Sequence, residues 1–215
     1  MMKKFGSIFV HDMFNIFSLI GIITIDVQYL YRSTIWNHMG TEELGSSEIP
    51  LATALLTTFL AYVVIDTIWI AANPTCVLSN PNALIIHHFF TFAFLLVPHY
   101  VPQFHWHGAI SIFVELNVIF LVSRRHFQQD GLVYKILDSL FLITWFLFRI
   151  VVFPILLIFY SYEYVRYSHY LGNEWLNIVL LAPILQVTGV IDYVSNTLLL
   201  FQRKLNCNYS RSRLH

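Results

Sequence analysis

The stretch ALIIHHFFTFAFLLVPHYVPQFHWHGAISIFVELNVIFLV, residues 83–122, decides how this chain is read. It holds two apolar segments joined by a short turn at residues 98–104. A helix that crosses a bilayer core needs roughly 20 mostly apolar residues, and each segment is just long enough. The first carries His87 and His88 side by side, with Thr91 one helical turn later. The second carries one acid, Glu115, deep in its apolar run. Titratable groups are costly in such sequence and by default mark positions with a task.

Composition extends the same reading to the whole chain. Of 215 residues, 57% are hydrophobic and 11% charged, against about 25% charged in ordinary soluble domains. Mean hydropathy is +0.65. An integral membrane protein is expected, with little sequence left for a soluble domain. The formal net charge of zero removes any bulk electrostatic basis for binding nucleic acid. Cys76 and Cys207 show no CxxC spacing and imply no disulfide framework. The opening MMKKFGSIFV puts a basic pair before an apolar run, as a signal peptide does. That run continues past Asp12, Asn15 and Ser18 to Tyr31 without a small-residue cleavage site, so an uncleaved first span is expected.

Six segments qualify as spans: 9–31, 51–72, 83–101, 104–122, 136–160 and 175–201. The predicted fold is all-α, an integral membrane bundle of six transmembrane helices around a partly polar interior cavity. Residues 1–50 hold the first helix and a non-cytoplasmic loop, 51–203 a core of five helices, and 204–215 a basic cytoplasmic tail. With six spans, the N-terminus, the second and fourth loops and the C-terminus share one side. That side holds nine Lys and Arg residues, the other holds Arg32 and Arg166, and Arg149 lies inside a span. The excess of positive charge predicts that both termini are cytoplasmic.

Several spans carry polar residues at helical spacing: His11, Asn15, Ser18 and Asp26; Thr58, Tyr62 and Asp66; His107, Ser111 and Glu115; Gln186, Asp192 and Asn196. Lipid offers these groups no partner, so such faces turn inward. A neutral imidazole beside a carboxylate suits general-base or nucleophilic work. The catalytic candidates are therefore His87, His88, Glu115 and Asp66. Tyr62, Thr91, Ser111, Arg149 and Asp192 are the candidate lining of the cavity. The competing reading is that the histidines only hydrogen-bond between helices. No second histidine cluster accompanies His87-His88, so no metal site is expected, and no cofactor. His99, His105, Trp106 and His107 read as an interfacial belt. Asp12, Asp26 and Asp138, near span ends, read as contacts to water or helix termini.

Taken in order, these features resemble the TLC-domain family, which includes the ceramide synthases. The resemblance rests on Tyr62-x-x-x-Asp66, His87-His88, Glu115, the SRRHF patch, and FLFRIVVFP around Arg149 and Pro154. It implies a six-helix membrane fold around a lipid-sized cavity, in the endoplasmic reticulum or another cell membrane. In ceramide synthases the paired histidines serve N-acylation by acyl-CoA. This chain keeps His87-His88-x-x-Thr91 but has Pro98-His99, Val114-Glu115 and Val118 where that motif has further polar residues. It is more similar to the small TLC-domain proteins of lipid handling. Three functions stay open. One is binding, sensing or regulation of membrane lipid composition. Another is an acyltransferase with acyl-CoA as co-substrate. The third is an assembly or trafficking factor. The expected partners are membrane lipids, other membrane proteins or a second copy of the chain. The expected location is the endoplasmic reticulum or the plasma membrane.

Overall fold

The run LATALLTTFLAYVVIDTIWIAA is apolar on nearly every face, the pattern of a helix surrounded by lipid and other helices. In the computed structural model, which describes residues 2–33, 49–78, 80–100 and 102–167, it forms α2, Ile49–Ala72. The preceding α1 is Met2–Arg32. Asn73-Pro74 ends α2, because proline cannot continue a helix, and a 3-10 turn Pro74–Cys76 follows. Helix α3, Pro81–Tyr100, starts on proline, which suits the first helical position. The Asn82 N–H donates to Asn80 Oδ1 at 3.1 Å, capping that start. A 3-10 turn Pro102–Phe104 leads into α4, His105–Phe113, and α5, Glu115–Ser123. The turn Arg124–His126 then precedes α6, Leu132–Phe146, a π-helical segment Leu147–Val152, and α7, Phe153–Tyr167.

All regular elements among the described residues are helical. Five segments there are long and apolar enough to cross a membrane: Gly6–Arg32, Pro50–Ala72, Pro81–Tyr100, His105–His126 and Leu132–Phe159. The expected sixth span, 175–201, lies outside the described residues, as does the tail at 204–215.

The chain divides into two units after Phe148. In the first, α1 packs against α2, α4 and α5, and α2 against α3 and α4. Helix α1 buries one stripe, from His11, Asn15, Leu19 and Ile22 to Asp26 and Tyr29, at the three- and four-residue spacing of one helical face. Asn117 ties α5 to α6, its amide donating to Phe141 O at 2.8 Å and to Thr144 Oγ1 at 3.1 Å. Such bonds hold helices together where apolar burial offers no net drive. In the second unit the Arg149 guanidinium stands over the Phe153 ring, 5.4 Å from its centroid, within reach of a cation–π contact.

The expected span 104–122 falls within the membrane-length segment His105–His126. Inside it α4 and α5 meet at Val114, where the Asn117 N–H bonds Val114 O at 3.0 Å, an i to i−3 bond. One expectation needs correction: the interfacial belt fails at two positions, since His105 and His107 are each only 1% exposed.

Gly108 marks the closest approach of α4 to its neighbours. A Cβ there would lie 2.9 Å from Leu56 Cδ2 and 3.0 Å from Pro98 Cβ. Proline's ring has little freedom to yield. Gly108→Ala is expected to destabilise the protein by about 1–3 kcal/mol, the usual cost of overpacking, read as a lower melting temperature in detergent. Gly21→Ala, where a Cβ meets nothing within 4 Å, is expected to hold or raise that temperature, because alanine is the better helix former.

Candidate functional site

The site begins with two i, i+4 pairs on antiparallel helices, His11/Asn15 on α1 and Tyr62/Asp66 on α2. Reversed direction brings Asn15 level with Tyr62 and His11 level with Asp66. The Tyr62 hydroxyl donates to Asn15 Oδ1 at 3.1 Å. The Asn15 amide approaches His11 Nδ1 at 3.5 Å. His11 Nε2 then donates to Asp66 Oδ1 at 2.7 Å. Every donor in this chain points toward Asp66. The arrangement turns His11 Nε2 to Asp66 and Nδ1 to the Asn15 amide, so both ring nitrogens meet polar partners.

Helix α3 brings His88 to the other side of the same carboxylate. His88 Nε2 stands 3.5 Å from Asp66 Oδ2, and Thr67 Oγ1 lies 3.1 Å from His88 Nδ1. The Thr67 hydroxyl donates its one proton to Val63 O at 2.6 Å. Asp66, 2% exposed, thus sits between two imidazoles, His11 bonded to one oxygen and His88 facing the other.

These residues form one wall of a cleft of about 210 Å³. Asp66, Tyr62, His87, His88, Thr91 and Glu115 all line it. His87 and His88 differ by a 100° step on α3, yet both reach it: His88 is buried against Asp66, while His87 is exposed, with its ring centroid 5.9 Å from that of His88. Ser111 does not line the cleft; its hydroxyl is buried with no hydrogen-bond partner among the described residues. Arg149 belongs to the second unit, and Asp192 lies outside the described residues. Two groups need a new account. Asp12 is 2% exposed rather than at a watery helix end, with Arg125 Nη1 at 3.4 Å and His126 Nε2 at 3.1 Å. Asp26 is fully buried. Asp138 is half-exposed and pairs with Arg124.

Sequence reasoning placed His11 and Asn15 on a polar face but not in the site, and it missed Asp12 and Arg125, which also line the cleft. The i, i+4 spacing of His11 and Asn15, matched by that of Tyr62 and Asp66, was the available signal. No three or more His, Cys, Asp or Glu side chains are placed to hold a metal ion together among the described residues. A water takes about 30 Å³, so the cleft has room for roughly seven waters or a small polar head group. Pockets for whole drug-sized ligands start at about 300 Å³.

The fold and this site define a polytopic helical membrane protein in which several helices bring titratable side chains together. The family model for the TLC domain matches residues 4–198. The chain belongs to the TLC-domain family. Neither the curated proteins nor the solved structures compared with it give a match.

The chain of bonds makes two predictions. Asp66→Asn and His11→Leu are expected to be strongly non-additive in stability, with a coupling of about 1–3 kcal/mol in a double-mutant cycle read by thermal unfolding. Additive effects would show that the pair does not interact. Cys76, outside the spans, is fully buried. Burial pushes its thiol up, and the Asp66 and Asp12 carboxylates push the same way. A raised thiol holds less thiolate at neutral pH and reacts more slowly. Cys76 should therefore resist maleimide labelling in the folded protein and label on denaturation, measured by peptide mass spectrometry.

Proposed function

We propose that this protein handles membrane lipid, binding a lipid head group in the cleft and so sensing or adjusting membrane lipid composition. The observation that carries the reading is convergence: α1, α2, α3 and α5 each send polar or titratable side chains into one cleft within an apolar bundle. Polar groups are rare and expensive in such surroundings, and packing alone needs no open space between them. The cleft's size favours a head group, with the acyl chains left to the bilayer. Both termini in the cytoplasm would open the cleft toward that side, in the endoplasmic reticulum or the plasma membrane. No cofactor is required.

The His88–Asp66 contact favours a second reading, an acyl-CoA-dependent lipid acyltransferase. A lipid hydroxyl or amine would attack the thioester carbonyl while His88, or His87 beside it, takes its proton. The thiolate of coenzyme A would leave and recover that proton, as general acid–base catalysis requires. Asp66 would hold His88 in position, with Glu115 in the same cleft as the alternative carboxylate.

Lipid profiling of cells producing the protein or its His87→Ala, His88→Ala double variant tests both readings. An altered profile at equal protein level is expected. An unchanged profile would contradict both and leave a role in membrane-protein assembly. Incubation of the purified protein with labelled acyl-CoA and lipid acceptors separates them: transfer lost in His88→Ala marks an acyltransferase, whereas an altered profile without transfer marks lipid handling.

A further inference from the structure

The mouth of the cleft contains a feature that the Asp66 network does not use. In the turn Arg124–His126, successive basic side chains take different directions. Arg124 pairs with Asp138 and lies over the Phe141 ring, 4.3 Å from its centroid. Arg125 lines the cleft. One of its nitrogens, Nη1, meets Asp12 Oδ1 at 3.4 Å. Asp12 is buried on α1, so it holds the guanidinium in place rather than following it into water. His126 Nε2 is 3.1 Å from the second Asp12 oxygen, so two basic side chains face that carboxylate.

We infer that Arg125, anchored by Asp12, is an anion subsite that takes the phosphate of the ligand's head group. A guanidinium has five N–H donors in a fixed fork, and the bond to Asp12 occupies one of them. The free edge suits two-point binding of a phosphate. Anchoring on a buried residue lowers the ordering cost of a long, rotamer-rich side chain. The other carboxylates of the cleft do not cancel the site. Asp66 is already bonded by His11. Glu115 lies ten residues before Arg125, roughly 15 Å along a helix axis at the usual rise. The inference rests on the reading that the cleft binds a lipid head group. The same chemistry also fits a soluble phosphate ester.

The test uses the full-length protein in nonionic detergent and native mass spectrometry. Two lipid probes of identical chains, phosphatidic acid and diacylglycerol, differ only in the phosphate. Coenzyme A serves as the soluble phosphate probe. The wild-type protein is expected to retain phosphatidic acid about tenfold better than diacylglycerol, the scale of one charge-assisted contact. Arg125→Gln is expected to bring that ratio close to one. Arg125→Lys, which keeps the charge and loses the fork, should fall between. Lys135→Gln, an exposed cation outside the cleft, should leave the wild-type ratio. Displacement of phosphatidic acid by coenzyme A that depends on Arg125 would extend the site to soluble phosphates; its absence would restrict the site to lipid phosphate. An unchanged ratio in Arg125→Gln overturns the inference, as does an equal drop in Lys135→Gln, which would mark diffuse charge. Retention of both lipids without preference overturns the subsite and leaves the cleft reading standing. Retention of neither overturns both. If Arg125→Gln does not elute as a folded species, Arg125→Lys against Lys135→Gln decides the same question.

Discussion

A carboxylate buried in a membrane bundle has to be surrounded by donors, and the requirements of Asp66 organise the first unit of this protein. Removing an ion from water costs several kcal/mol even after relaxation, and lipid returns nothing. The chain meets the cost with two imidazoles from two other helices, His11 on one oxygen and His88 facing the other. Because the groups come from α1, α2 and α3, satisfying the charge fixes the relative placement of those helices. Tyr62 and Asn15 extend the constraint one turn further along the α1–α2 seam. Apolar burial, weak as an organising force between helices in lipid, is left to fill the remainder, as at the Gly108 contact.

That same arrangement creates a place where a ligand can meet chemistry. His11 has both ring nitrogens committed, so it acts as a positioning residue. His88 faces Asp66 and lines the cleft, and His87 lines it from a more exposed position. At the mouth, Asp12 and Arg125 repeat the motif of a buried acid that holds a basic side chain at the cleft. The two acid–base pairs stand one residue apart on α1, at His11 and Asp12, and they face different helices because successive residues differ by 100°.

Much of the membrane architecture was legible in the sequence, since runs such as 51–72 admit little besides a spanning helix. Membership of the TLC-domain family was also legible, in the order of Asp66, His87-His88 and Glu115. Partner choice was not. Helical spacing puts His11 and Asn15 on one face, but His11 and Asp66 are 55 residues apart, and no local pattern pairs them. Adjacent histidines differ by one angular step, so the sequence cannot say that His88 meets Asp66. Asp12 looked like a helix-end acid because its partners, Arg125 and His126, arrive from a distant turn. The break at Val114 and the π-helical Leu147–Val152 depend on local changes in residues per turn, which hydropathy does not register.

Asp66 gathers His11 and His88 from two other helices onto one carboxylate. Nitrogen-15 NMR of the two imidazoles in the purified protein tests this directly. Asp66→Asn is expected to shift the ring-nitrogen resonances of both His11 and His88 while leaving those of His105, on α4, in place. Resonances of His11 and His88 that do not move in Asp66→Asn would contradict it.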